Sequence, residues 1–397
     1  MTFRKAVGKL HLWLGLASGL IVFIVAVTGC LYAFKTEIED LTQAYRYVLA
    51  ETRPLLPPSR FEAIGAQLLP GKNLHSVTYR TGGRAAILAF YHYEPTYYYL
   101  AYIHPYTGKV LHVQDMSHDF FYQVLQGHYY LWLPPTIGQP IVASATLIFV
   151  VLLISGLVLW WPKNRAARKQ RFTVKWTAPW RRRNYDLHNV FGFYVMGIAM
   201  LLALTGLVWG FQWFAKSVYW ATSGGEALPA YYEPTSTVPA RLPSVNLPAI
   251  DRLWQQTMVS NPTAETVEVH FPEAPTASIA ISTNPDAATY WQGDHRYYDQ
   301  YTLKELSVNH QYGRFDETVS VAQKIARLNY DVHVGAILGL PGKLIAFLAS
   351  LMVASLPVTG FLIWWGRRKK TKKAIRHHKP IRHHARPRLR TSQLPNP

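Results

Sequence analysis

The chain has 397 residues, 49% of them hydrophobic and only 16% charged, with the apolar residues gathered into four long blocks, and this excludes an ordinary soluble protein. The single cysteine, Cys30, excludes an internal disulfide and a four-cysteine iron–sulfur cluster, and the lack of any C-x-x-C-H excludes covalent haem attachment. The net charge of +19 gathers in residues 1–10, 162–187 and 366–397, which hold 24 of the 41 Lys and Arg and one acid, Asp186; clusters flanking apolar blocks are not the folded basic surface that phosphate binding needs, so no nucleic-acid partner is expected.

In chain order, the apolar blocks 10–34, 139–161, 188–214 and 334–365 are each long enough, at about 1.5 Å per residue, to cross a hydrocarbon core of roughly 30 Å. The short basic segments are expected in the cytoplasm together with both termini, and the long segments 35–133 and 215–332 outside. Val27, Thr28, Gly29 and Cys30 resemble a lipoprotein cleavage box after a basic leader. A matching apolar-Thr-Gly recurs at Leu204, Thr205 and Gly206, where no cleavage can occur, so the first span is read as uncleaved.

Segment 35–133 opens with a polar helical stretch and a Pro-rich link, then alternates as strands over 76–79, 85–91, 97–104 and 109–114, with a Thr107-Gly108 turn. A helix is expected over 119–131, and Pro134-Pro135 interrupts the approach to the second span. The basic link 162–187 carries Phe172, Trp176 and Trp180 among nine basic residues, which suits anionic membrane lipid. Segment 215–332 repeats the order, with a helix near 249–259, strands at 266–271, 277–282, 288–292 and 296–301, and a helix over 319–329. The tail 366–397 has neither apolar period nor turn logic and is expected to be a disordered basic cytoplasmic extension.

The spans repeat a pattern. His11 and His188 are each followed four residues later by Gly15 and Gly192, then by Gly19 and Gly197, and seventeen residues after the histidine by Thr28-Gly29 and Thr205-Gly206. The other two spans end in Ser155-Gly156 and Thr359-Gly360, eighteen residues beyond Gly138 and Gly342, and His128 and His333 stand ten and nine residues before those glycines. The chain therefore reads as two tandem copies of one unit: span, outer domain, span.

Histidine at the end of a span is costly and points to function more often than to headgroup contact when it recurs at four matched positions. By topology His11 and His188 share the cytoplasmic face, and His128 and His333 share the outer face. Neutral imidazole suits iron, copper, nickel or zinc, but no carboxylate or thiol lies in register, so a small closed zinc site is short of ligands. A flat macrocycle that supplies four nitrogens needs only two protein ligands, and Gly15, Gly19, Gly192 and Gly197 would let such a ring approach the helices. The expected pairs are His11 with His188 and His128 with His333; His118 or His310 of the outer segments remain alternative ligands. Thirty-one to thirty-three residues separate His333 and His128 from Trp364 and Trp161, a span of roughly 45–50 Å if the helices are straight, which is long for electron transfer.

These histidines, the Ser/Thr-Gly pairs and the stretch AYIHPYTGKVLHVQD resemble the PepSY-associated transmembrane family, and within it the ferric-siderophore reductase branch. The second copy of that stretch, RYYDQYTLKELSVNH, has Leu303 where the first has its turn glycine, which leaves an identical turn open. The resemblance implies a membrane α-helical fold of four transmembrane helices in two repeats, each enclosing an outer PepSY-like α+β domain. It also implies a bacterial inner-membrane protein with two non-covalent b-type haems on His11, His188, His128 and His333 that reduces ferric siderophores outside the membrane. No nucleotide fingerprint is present, so electrons must come from a quinol or a separate protein.

Two other functions compete. A membrane-anchored PepSY module that binds proteins or inhibits peptidases leaves the histidines unexplained, and a transporter lacks ionisable residues within its spans apart from Lys343. The outer residues 35–138 and 215–333 carry 16 basic and 21 acidic groups, a net −5 that favours a neutral or cationic hydroxamate chelate over an anionic catecholate. Tyr91-His92-Tyr93, Tyr97-Tyr98-Tyr99 and Tyr290-Trp291 offer aromatic contact to such a chelate, although strand packing and interface anchoring account for most of these rings.

Overall fold

A computed structural model describes residues 2–94, 96–162, 164, 168, 171–240 and 247–377, with residues 369–377 described by backbone alone. Among the described residues four helices are long and apolar enough to cross a membrane: α1 (Phe3–Ala33), α5 (Pro135–Trp160), α6 (Trp180–Gly210) and α10 (Gly339–His377), the last contributing to a candidate span that runs Ala336–Arg368. Each packs on two others, so the ring order is α1, α5, α6, α10, with α1 and α6 on one diagonal. Small side chains at the centre, Ala26, Ala199, Ala349 and Ala354 beside Val22, Val195 and Val353, let the backbones approach closely. Leu20 and Leu351 are 71% and 52% exposed on the outside of this ring, a surface that lipid covers without cost.

The first and third spans, α1 and α6, start earlier than their hydropathy blocks, because the basic residues before them continue the helix: Arg4 caps the far end of α5, its guanidinium donating to the carbonyls of Leu159 and Trp161. At Phe211 the backbone turns extended, ending α6 at Gly210, and a separate helix α7 (Gln212–Ser223) follows. The tail differs from expectation. Helix α10 runs on through His377, and residues 378–397 lie outside the described residues.

The strands are β1 (Ser76–Arg80), β2 (Ala86–His92), β3 (Tyr97–Ile103), β4 (Val110–Asp115), β5 (Thr266–His270), β6 (Ser278–Asn284), β7 (Asp294–Asp299) and β8 (Glu305–Leu306). Instead of two separate outer domains they form one antiparallel sheet in the order β4-β3-β2-β1-β5-β6-β7-β8. Each half alone would leave its first strand as an unpaired edge; β1 and β5 satisfy one another, with Val77 opposite Val269 and Tyr79 opposite Val267. Val77, Leu88, Phe90, Val269 and Ile281 point to one face, where α3 (Pro58–Leu68) and α8 (Ala249–Ser260) seal them under Phe61, Leu253 and Trp254.

Residues 288–292, expected as a strand, form a turn instead. The fully buried Asp331 accepts hydrogen bonds from the Tyr290 and Trp291 amides at 2.8–3.1 Å, which takes those amides out of any ladder. The second copy of the β-turn keeps its geometry despite losing its glycine: Leu303 holds φ +59° where Gly108 holds +75°. The bonds also match, Gly108 N to His104 O and Leu303 N to Asp299 O both being 2.9 Å. Leu303 packs against the sheet core, which offsets a left-handed conformation that disfavours a side chain.

Candidate functional site

Short helices beyond the spans bring two of the four histidines into the bundle. Helix α4 (Phe120–Tyr130) ends in two left-handed residues, Leu131 and Trp132, and reverses into α5 so tightly that a Cβ on Gly138 would lie 2.1 Å from the Tyr130 carbonyl oxygen. Helix α9 (Val321–His333) makes the matching corner through Gly335, at φ +78°, against Gly342. The corners fold each short helix back along a span, so that His128 meets α1 and His333 meets α6.

All four histidines then sit in the same cradle. His11 Nδ1 lies 2.8 Å from Ser155 Oγ on α5 and His188 Nδ1 lies 2.9 Å from Thr359 Oγ1 on α10. His128 Nδ1 lies 3.2 Å from Thr28 Oγ1 and 3.0 Å from the Val25 carbonyl on α1, and His333 Nδ1 lies 2.8 Å from Thr205 Oγ1 on α6. The glycine after each hydroxyl makes room for the ring: a Cβ on Gly156, Gly360, Gly29 or Gly206 would stand 3.2–3.4 Å from the Cε1 of His11, His188, His128 or His333. The Ser/Thr-Gly pairs are thus the histidine seats, a role that their fixed spacing from each histidine encodes without naming which span receives which ring.

The hydroxyls fix the tautomer. Thr28, Ser155, Thr205 and Thr359 each donate their one proton to a carbonyl three or four residues back in their own helix, at 2.7–3.2 Å. They can therefore only accept from imidazole, which places the proton on Nδ1 and the lone pair on Nε2. An oriented Nδ1–H is the outer support that metal-binding histidines ordinarily have. Among the described residues no protein hydrogen bond reaches any of the four Nε2 atoms.

The rings form the two pairs expected. His11 and His188 have centroids 6.5 Å apart with planes at 85°, and His128 and His333 6.2 Å apart at 68°. Two imidazoles bound through Nε2 on opposite sides of one metal ion have centroids about 6.3 Å apart, taking about 2.0 Å per bond. Among the described residues no three His, Cys, Asp or Glu side chains converge on a metal position, so each pair suits an ion whose remaining ligands come from elsewhere, as in a macrocycle. Around the sheet-side pair the four spans line an open cavity of about 460 Å³ walled by Ala26, Ala145, Ala199, Ala203, Phe149 and Trp209, within the range of cofactor sites.

The level of each seat also resolves the distance problem. His11 and Thr28 on α1, like His188 and Thr205 on α6, are separated by seventeen helical residues, about 25 Å. The 45–50 Å of the sequence reading arose from continuing α4 and α9 straight into the spans, whereas both fold back. The expected role of the helix glycines is corrected in part: a Cβ on Gly15 would meet Leu152 at 3.9 Å, one on Gly192 would meet Leu356 at 3.8 Å, and one on Gly19 would meet Pro357 at 3.4 Å. These three are helix-contact glycines, and only Gly197 has nothing within 4 Å.

The alternative ligands lie elsewhere. His310 is buried among Tyr231, Tyr232 and Tyr297, with Nε2 2.8 Å from the Tyr232 carbonyl oxygen, and His118 is exposed in a short turn before α4. Lys343 pairs with Glu37 of α2 (Lys35–Thr42) at 2.7 Å at the bundle's sheet-side end, so it is not a charge within the membrane. Of the tyrosines, Tyr97 and Tyr99 pack against the sheet core and Tyr98 meets Tyr122 of α4, whereas Tyr93 and Tyr290 are 74% and 65% exposed.

A profile of the PepSY-associated TM region matches residues 9–367, and the chain belongs to that family. No curated protein matches it.

Proposed function

We propose that this member of the PepSY-associated transmembrane family is a dihaem reductase of the bacterial inner membrane that delivers electrons to ferric siderophores on its sheet side. The observation that carries the reading is the fourfold seat: two imidazole pairs at bis-histidine spacing, each ring with Nδ1 on a Ser or Thr hydroxyl and, among the described residues, no hydrogen bond to Nε2. His11 with His188 and His128 with His333 would each hold one b-type haem. Bound there, haem iron exchanges single electrons by passing between its ferric and ferrous states.

The residues of the chain do the rest. The hydroxyls hold each imidazole in one tautomer and rotation, Gly29, Gly156, Gly206 and Gly360 let the rings seat flush on the helices, and mainly apolar side chains wall the cavity beside the sheet-side pair. The two levels, about 25 Å apart along α1 and α6, connect the basic side to the sheet side. We assign the basic side to the cytoplasm, because 24 of the 41 Lys and Arg residues flank the spans there. The donor on that side is a quinol or a separate protein. On the sheet side the substrate gains one electron: hard oxygen donors hold Fe(III) far more tightly than Fe(II), so reduction loosens the chelate without hydrolysing it. The net −5 of the sheet-side residues favours hydroxamate over catecholate complexes.

Anaerobic stopped-flow mixing of the reduced, desalted protein with a ferric hydroxamate and an Fe(II) indicator tests this. Reoxidation matched by Fe(II) release is expected. A protein that stayed reduced across several siderophore classes would sink the reductase reading in favour of a protein-binding module.

A further inference from the structure

At the seam joining the two halves of the sheet, His75, the residue before β1, faces His270, the last residue of β5. The contact is between His75 Nε2 and His270 Nδ1, 3.3 Å apart, with the ring planes at 85°. The outer nitrogen of each ring faces a carboxylate: His75 Nδ1 lies 3.0 Å from Glu273 Oε1, and His270 Nε2 lies 3.7 Å from Glu268 Oε1. Ser76 Oγ donates to Glu268 at 2.8 Å and steadies that carboxylate, while the Phe271 amide donates to the His75 carbonyl at 2.9 Å and locks the two strands together. Glu268 and His270 alternate along β5 with the core residues Val267 and Val269, so they lie on the face turned from α3 and α8.

With a proton on each outer nitrogen the arrangement is one cation short. Glu273 takes the Nδ1–H of His75 at 3.0 Å, and Glu268, at 3.7 Å from His270 Nε2, lies beyond hydrogen-bond reach but its charge favours a proton there; a neutral imidazole has only one N–H. Both inner nitrogens then carry lone pairs that face one another at 3.3 Å. If His270 instead donates to His75, its Nε2 presents a bare lone pair to Glu268. A divalent ion between the inner nitrogens removes the conflict: two metal–nitrogen bonds of about 2.0–2.1 Å at a tetrahedral angle place the nitrogens about 3.3 Å apart. Carboxylates behind both rings are the support that raises imidazole basicity toward a metal.

We propose that this seam is an exchangeable site for a divalent first-row transition metal, ligated by His75 Nε2 and His270 Nδ1 and supported by Glu273 and Glu268. Imidazole donors select such ions over Mg(II) and Ca(II), which take oxygen. Among the described residues no third His, Cys, Asp or Glu joins the pair, and the two rings are 39% and 30% exposed, so water or a ligand of the incoming ion completes the coordination. Such a site takes up and passes on an ion instead of bracing the fold. The assignment rests on the seam alone and not on the reductase reading; if both hold, Fe(II) set free on the sheet side meets this site.

The test is calorimetric titration of the full-length protein with Zn(II) at neutral pH, in a background carrying H377N, H378N, H383N and H384N to silence the tail. One ion per chain is expected, with affinity lost by about tenfold or more in H75A and H270A and weakened by about 10–100-fold in E273Q and E268Q, which keep both ligands. Thermal unfolding monitored beside each titration separates loss of the site from loss of the fold, and E273Q serves if either alanine variant fails to fold. Wild-type affinity in H75A, H270A and E273Q, or no titrating site in the parent, overturns the proposal. Neither result depends on siderophore reduction.

Discussion

A histidine in this bundle is defined less by its own helix than by the hydroxyl and glycine of the span it meets. The hydroxyl contact contributes about 1 kcal/mol net, as a buried hydrogen bond does, but its larger effect is to fix which nitrogen is bare. A side chain in place of the glycine would crowd the same ring. In Gly360→Ala the new methyl would sit 3.2 Å from His188 Cε1, a ring already tied to Thr359 and unable to retreat. Overpacking of this kind costs about 1–3 kcal/mol, against the roughly 1 kcal/mol that alanine gains over glycine in a helix. Gly197→Ala meets nothing within 4 Å and keeps that gain. Thermal unfolding together with the visible spectrum of the purified variants should show G360A destabilised, with its basic-side haem signal weakened, and G197A intact. The reverse order would mean that the glycines serve helix contacts alone.

At the scale of elements, most of the strands were legible because period-two alternation and the Thr-Gly turn are local signals. What was not legible depended on distant partners. The β1–β5 pairing joins residues about 190 positions apart, Val77 to Val269, and nothing within either strand names the other. The turn at 288–292 was hidden because its amides answer to Asp331 on another helix. The left-handed Leu303 was hidden because core packing overrides a local preference. The same sheet carries a pH response. Burial, with the charges of Arg327 and His270, pushes the pKa of His295 down to about 4, and its Nδ1 lies 2.6 Å from Ser282 Oγ. The unfolded chain takes up this proton near pH 6.5, so as pH falls from about 6.5 to about 4 the folded state loses up to roughly 1.4 kcal/mol per pH unit. Unfolding temperatures measured between pH 7.5 and 4.5 should fall more steeply for the wild type than for His295→Gln. Equal slopes would remove His295 from the account.

Over the whole molecule, the two repeats share one sheet on one side of a four-span ring and cross their histidines within it, so neither repeat completes a pair alone. The pairing was legible in the sequence from topology, as was the number of spans; the folding back of α4 and α9 was not, because two consecutive left-handed residues at Leu131 and Trp132 carry no composition signal. Cysteine labelling with an impermeant reagent should reach positions 72 and 272 from outside the cell and spare position 175, and the opposite pattern would invert the assigned orientation. The central claim, that the pairs are haem ligands, is tested most directly by low-temperature EPR and haem quantitation on four single variants, His11→Ala, His188→Ala, His128→Ala and His333→Ala. The account predicts two low-spin haems in the wild type, loss or high-spin conversion of one and the same haem in H11A and H188A, and of the other in H128A and H333A. Two low-spin haems retained in all four variants, or none in the wild type, would contradict it.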